Sequence, residues 1–307
     1  MGLRIKTNVQ SLFAQRNLGL STQGAGRSMA KLSSGYRITK AADDPAGLSI
    51  SEQFRSDVRA LAQAKRNAND GISLLQVAEG SLEEITNIII RLRELSVQAA
   101  TDTVGAEERG YLNLEFMSLK DEIDRIAVGT EYNGTRLLIG KKEVDPALLE
   151  DHNESPLEFQ VSKDYMLPSD SLSSPNPVNI IRVNFGDMNA STSGEGGLGL
   201  GSPSDENGTR IDNKKDAQLT IDQLDESLNK VNYYRATIGA KQNRLSSTSR
   251  NLGVFMENIN NAKSRIKDAD FAEETSRYTQ YNVLRQAGVS VLSQANQLPS
   301  MALKLLE

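Results

Sequence analysis

The chain has 307 residues, no cysteine, no tryptophan, one histidine and a formal net charge of −5, with 35 basic and 40 acidic residues mixed along its length. That excludes a disulfide framework, a thiolate nucleophile and a cysteine-ligated metal, and it lacks the basic footprint of a nucleic-acid binder. Apolar residues make up 38% and aromatic residues 5% of the chain, a composition that suits slender helical packing better than one large round core.

The first residues, MGLRIKTNVQSLFAQRN, carry charges with no apolar stretch behind them, so they do not read as a secretory signal. The strongest apolar run, Ile88, Ile89 and Ile90, is far short of the roughly 20 residues that span a bilayer, so no membrane insertion is expected. An exported chain of this kind leaves by a route other than a cleaved signal. The absence of thiols has two readings, drift in a small residue class or selection in a chain that leaves the cell unfolded.

Proline divides the sequence. Six of the eight prolines lie from Pro146 to Pro203, and seven glycines crowd the interval from Gly186 to Gly208. The chain therefore reads as a helical arm, a loop- and strand-rich insertion, and a second helical arm.

At the start, Leu18, Thr22, Ala25, Met29, Leu32 and Tyr36 keep a 4-then-3 spacing. A turn follows at Asp43-Asp44-Pro45, with carboxylates near a helix N-terminus. From Ile50 to Ala99 the same spacing places apolar residues at twelve of fifteen positions. A helix of that extent is about 75 Å long at 1.5 Å per residue, which implies a rod. A second helix is expected from Ala106 to Ala127 on the seam Leu112, Phe116, Leu119, Ile123 and Ile126, with Glu107 and Glu108 in its first turn. Asn133-Gly134 then marks a hairpin. A third long helix begins near Lys214 and carries apolar residues at eleven of fifteen seam positions from Ala217 to Ile266. It is the natural antiparallel partner of the first. Finally Tyr281, Leu284, Gly288, Val291, Ala295, Leu298, Ala302 and Leu305 keep the spacing to the end.

The two ends carry little bulky apolar surface to set against the backbone entropy of ordering them. They are expected to stay mobile in the monomer and to order when neighbouring copies add apolar surface. The self-assembly candidates are Leu18, Ala25, Met29, Leu32, Tyr281, Leu284, Val291, Ala295, Leu298 and Leu305. The fold class is mainly α: an elongated antiparallel helical bundle from paired N- and C-terminal arms, with a short β-hairpin and a small loop- and β-rich insertion domain.

Catalytic patterns are thin. His152 has no second histidine at zinc-protease spacing and reads as a loop residue. GEGGLG at Gly194–Gly199 fits GxGxxG formally but opens no helix, and reads as a flexible loop. Asp43 and Asp44 read as a capped turn before a cation site. Asn133, Asn153, Asn189 and Asn207 open N-x-S/T triplets, which occur commonly by chance. No enzyme, metal or cofactor is expected.

The segments LSSGYRITKAADDPAGLSISEQFRS (Leu32 to Ser56), NANDGISLLQVAEGSLEEI (Asn67 to Ile85), RLRELSVQAA (Arg91 to Ala100) and EIDRIAVGTEYNGTRLL (Glu122 to Leu138) resemble bacterial flagellin. So do IGAKQNRL (Ile238 to Leu245), SRIKDADFAEE (Ser264 to Glu274) and VLSQANQLP (Val291 to Pro299), in the family's order. The resemblance implies an inner coiled-coil domain from residues 1–33 and 267–307, and a connecting spoke at 34–45. It implies a rod-like domain with hairpin from 46–140 and 214–266, and a variable outward insertion at 141–213, with one small outer domain that includes a strand near Pro177–Phe185. It implies a subunit of the extracellular flagellar filament, exported unfolded through the type III channel, with other flagellin copies, the cap, junction proteins, an export chaperone and the type III gate as partners. By the same resemblance Arg91, Leu95 and Glu115 match contacts made with the innate immune receptor TLR5, although Ile90 departs from the usual polar neighbour; burial of that surface in the filament is the competing reading. The alternative within the family is a hook–filament junction protein. The alternatives from other functional classes are an enzyme carried in the insertion, as some flagellins carry, and a cytoplasmic signalling coiled coil.

Overall fold

The computed structural model describes residues 7–139, 157–163, 179–186, 188–190, 197–201 and 208–304, with side chains to residue 297. Five helices lie among the described residues: α1 (Val9–Ser34), α2 (Pro45–Ala99), α3 (Ala106–Gly129), α4 (Lys214–Lys267) and α5 (Phe271–Lys304). Two antiparallel pairs, β1 (Glu131–Tyr132) with β2 (Thr135–Arg136) and β3 (Leu157–Gln160) with β4 (Ile180–Val183), are the strands among the described residues. The chain divides into two units, Met1–Arg59 with Met256–Glu307, and Ala60–Phe255.

The unit from Ala60 to Phe255 is built on the long repeat. From Leu61 to Ala99 every position of the 4–3 series, twelve in succession, is buried. On α4 the buried series is sparser. Ala217, Leu224, Val231, Ile238, Leu245 and Leu252 recur at sevens, while the alternate positions are mostly half-buried. The two helices run antiparallel, because Asn69 meets Ser249 at 3.0 Å, Glu79 meets Gln242 at 2.9 Å and Arg93 meets Asp225 at 2.7 Å. These polar contacts flank the seam and contribute little individually.

Helix α3 closes the core with Phe116, Ile123 and Ala127. Its burial is shifted from the expected seam. Leu112, Leu119 and Ile126 are only half-buried, and Lys120 is fully buried instead. The Lys120 ammonium donates to the carbonyls of Leu200 at 2.8 Å and Thr209 at 3.3 Å. Asn113 accepts from the Ile211 amide and Asp124 from the Ala190 amide, at 3.1 and 2.7 Å. Three polar side chains of one helix thus hold the backbone of the proline- and glycine-rich region. That region's Val161, Val183, Phe185, Met188, Leu198, Leu200 and Ile211 belong to the same hydrophobic core as α2 and α4. A charged residue is tolerated there because its donors are met.

The hairpin turn Asn133-Gly134 has φ of 52° and 79°, the pair of positive angles that a tight two-residue connection needs. In the β3–β4 pair, Ile181 and Val183 face the core while Arg182 pairs across the strands with Glu158 at 2.6 Å. Asn67 of α2 donates to the Gln160 carbonyl at 3.1 Å, which ties β3 to the helix.

In the other unit, α1 and α5 pair with each other. Between them and the flanking ends of α2 and α4 lie two linkers joined by an isolated bridge, Tyr36 to Asp268. Gly35 ends α1 with φ of 72°, a left-handed cap that glycine adopts without strain. Arg37 then donates to the Ile266 carbonyl at 2.7 Å and satisfies the C-terminal end of α4. Lys267 bonds Glu52 at 3.0 Å and lies 5.1 Å from the centroid of the Tyr36 ring. The acidic turn behaves as a capped turn. Asp43 accepts from the Thr39 amide and hydroxyl and from the Lys40 amide at 2.9–3.0 Å. Asp44 accepts from the Gly47 amide at 2.9 Å and starts α2.

Candidate functional site

Helices α1 and α5 pack with their backbones close along much of their length, Cα atoms repeatedly lying within 8 Å of one another. The reason is side-chain size. The buried positions are Ala14, Ala25 and Ser28 on α1, with Ala295 and Glu274 on α5. Small residues at the contact permit a short interaxial distance. The helices run antiparallel. Asn8 accepts from the Ser11 amide at 3.0 Å as N-cap and donates to the Ala295 carbonyl at 2.7 Å. Ser11 meets Asn296 at 2.7 Å, and at the other end Lys31 meets Glu274 at 3.1 Å.

Among the described residues Glu274 is the one charged side chain buried in this seam, at 5% exposure. Burial pushes its carboxyl up, but the bonds from Lys31 and Ser28 and the nearby charge of Arg277 outweigh that and hold it below the usual carboxylate range.

Of the ten assembly candidates, Ala25 and Ala295 are buried in the seam, and Leu18, Leu32 and Tyr281 are half-buried. Met29, Leu284 and Val291 point away from it, at 60%, 46% and 53% exposure. The Leu298 side chain and Leu305 lie outside the described residues. The seam residues that apolar spacing missed are Ala14, Ser28 and Glu274. A signal for the last was present, since Glu274, Tyr281, Gly288 and Ala295 recur at sevens.

A second feature of both terminal helices is apolar exposure. Val9, Leu12, Phe13 and Leu20 on α1, and Phe271, Val283 and Val289 on α5, are each more than half exposed. These side chains are left uncovered by the pairing of α1 with α5.

Arg91 and Glu115 come together in the Ala60–Phe255 unit. The Arg91 guanidinium donates to Glu115 at 2.9 Å and to Glu94 at 2.9 Å, with all three side chains largely exposed. Bonds to Glu94 and Glu115 hold the guanidinium firmly protonated. Leu95 is not part of that surface; it is 1% exposed and packs in the core.

His152, Asn153 and Asn207 lie outside the described residues, as do residues 194–196 of the glycine string and 177–178 of the expected strand. Among the described residues no three His, Cys, Asp or Glu side chains gather as metal ligands, and no helix is long and apolar enough to cross a membrane.

The arrangement, two long arms that pair at both ends of one chain, has counterparts. Residues 5–143 match the bacterial flagellin N-terminal helical region, and residues 221–306 match its C-terminal helical region. The chain is 40% identical over 321 residues to a flagellin of Bacillus subtilis (strain 168), covering 99% of this chain and all of that one.

The chain belongs to the bacterial flagellins.

It is also 39% identical over 302 residues to the flagellar filament 33 kDa core protein of Treponema phagedenis, covering 98% of this chain and 99% of the relative. A structure of a putative flagellar hook-associated protein from Vibrio parahaemolyticus matches with a TM-score of 0.56 at 15% identity, covering 74% of this chain and all of that one. At that identity the likeness shows the fold alone. As a flagellin the chain is a structural protein, a filament subunit of the extracellular flagellum.

Proposed function

We propose that this flagellin polymerises through the exposed apolar sides of α1 and α5, with residues 1–33 and 267–307 as the inner assembly domain, and refolds at the filament tip after export unfolded through the type III channel. The observation that carries this reading is the split character of the terminal helices. Their inner stripe is small and already paired, while larger side chains such as Leu12, Phe13, Leu20, Val283 and Val291 remain uncovered. Burying such side chains between copies supplies the driving force for association. Contacts between unlike patches on successive copies generate an open helical polymer. Met29, Leu284 and Val291, which the intrachain seam leaves out, fall on this outer surface and serve contacts between copies.

The test is seeded polymerisation of the full chain carrying Leu20→Asp with Val291→Asp. Both residues are exposed in the subunit, so helicity by circular dichroism stays unchanged and filaments fail to grow. Normal filaments from the double variant overturn the reading. The export chaperone, gate, cap and junction proteins are the partners this role requires. Receptor recognition, by the same proposal, falls to Arg91 and Glu115, which are exposed and adjacent, while Leu95 is buried in the core.

A further inference from the structure

Small seams slide easily, because one alanine or serine fills a hole as well as the next. The α1–α5 seam nonetheless contains three unlike contacts in series. The Tyr281 ring of α5 packs against Gly24 of α1, so close that a Cβ built on Gly24 falls 2.5 Å from the ring. One heptad along α5 the polarity reverses, and Leu18 of α1 fills the space over Gly288, 3.3 Å from where a Cβ would stand. One heptad the other way, Glu274 meets Lys31 at 3.1 Å. The remaining glycines of α1, Gly19 and Gly26, have nothing within 4 Å of a Cβ position.

We infer that Gly24–Tyr281 and Leu18–Gly288, with Lys31–Glu274, form a register code that makes α1 recognise α5 in one alignment and no other. The code specifies how these helices pair, and it rests on the proposed role of α1 and α5 in assembly. Sliding α5 one heptad in one direction brings Tyr281 against Leu18, two large side chains in a space built for one. Sliding it in the other direction brings Gly24 against Gly288 and leaves a void. Either slide separates Glu274 from Lys31 and strands a buried carboxylate. Pairing of α1 with a second α1 leaves Lys31 without its carboxylate, and pairing of α5 with a second α5 buries Glu274 without Lys31. The partner that fits each helix is therefore the other terminal helix.

The chain has no cysteine, which makes the register directly measurable. Ser11→Cys with Asn296→Cys reports the observed alignment, since the native side chains touch at 2.7 Å. Ser11→Cys with Val289→Cys reports the slide that sets Tyr281 against Leu18. In the full chain under mild oxidation the first pair closes and the second stays open. Adding Gly24→Ala slows closure of the first pair about tenfold, the scale of an overpacked contact. Adding Gly26→Ala does not slow it, because an exposed alanine only favours the helix. Tyr281→Ala restores closure to the Gly24→Ala chain.

Equal behaviour of Gly24→Ala and Gly26→Ala, or equal closure of the two reporter pairs, overturns the code. Seeded polymerisation of the unmodified chain runs beside these measurements. If that fails while Gly24→Ala still slows closure, the assembly reading falls and the code stands.

Discussion

Lys31 and Glu274 stand 243 residues apart in sequence and meet at 3.1 Å, with the Glu274 side chain 7% exposed and the Lys31 side chain 23% exposed. The pair ties the last turn of α1 to the first turn of α5, next to the bridge between the two linkers. Its worth is intermediate between an exposed pair and a fully buried one. Lys31→Met leaves the Glu274 carboxylate without its main donor and is expected to cost about 1–3 kcal/mol of local stability. Amide exchange along α1 and the start of α5 checks it, as a loss of protection of about 5- to 150-fold. Glu274→Gln alone, which keeps the shape and removes the charge, costs less.

Acid sensitivity follows from the same group and three others. Glu274, Glu52, Asp43 and Asp102 all have carboxyls held below their ordinary values. For Glu52 the first cause is the bond from Lys267, for Asp43 the bond from Thr39, and for Asp102 the bond from Lys214. A carboxylate depressed in the folded state contributes stability that is complete above its unfolded value, near pH 4 for these groups. That contribution is lost as pH falls through the lower, folded value. The expected outcome is flat helicity from pH 7 to about pH 5 and a loss below about pH 4. Ellipticity at 222 nm during an acid titration measures it. Replacing Glu274 by Gln narrows the response of the terminal helices.

Lys120 is the fully buried charged side chain among the described residues of the Ala60–Phe255 unit. Its removal in Lys120→Ala leaves a cavity and takes the ammonium from the Leu200 and Thr209 carbonyls, for an expected cost of about 3 kcal/mol or more. Lys120→Met keeps the stem and loses only the donors, so it costs less. Limited proteolysis of the two variants provides the measure. Cleavage within 188–211 accelerates in both, and more in the alanine form.

The three consecutive isoleucines give a graded test. Ile89 is fully buried, Ile88 is half-buried and Ile90 is 44% exposed. Ile89→Ala is expected to destabilise by about 2–5 kcal/mol, while Ile90→Ala stays near 0.5 kcal/mol or less in the isolated subunit. Urea titration separates them. A comparable loss at both positions contradicts the assigned phase of α2.

The hairpin turn is equally direct. Gly134 has a φ of 79°, so Gly134→Ala places a side chain in a left-handed conformation at a cost of about 1–2 kcal/mol. Asn133→Gly is nearly neutral, since glycine also accepts its φ of 52°. Thermal unfolding followed by near-ultraviolet circular dichroism of Tyr132 and its neighbours distinguishes them.

Much of this molecule was settled by local order in the sequence. The long repeat from Leu61 to Ala99, the capped turn at Asp43–Asp44, the Asn133-Gly134 hairpin and the start of α4 at Lys214 each depend on residues close together in the chain. Periodicity and turn chemistry act over such distances, so they were legible without coordinates. Fold class followed from them, while the family was legible only through the resemblance of whole segments such as Leu32 to Ser56 and Ser264 to Glu274 to bacterial flagellin. Tertiary structure alone decided the phase of the terminal seam and the place of Lys120. Apolar residues occur on several sides of α1 and α5, so hydrophobicity points to no single face. What selects the face is how near two backbones can come, and that is why Ser28 is inside while the larger Met29 beside it is exposed. Lys120 is buried for a similar reason. Its partners are carbonyls 80 and 89 residues away, and only the folded chain brings them to the helix.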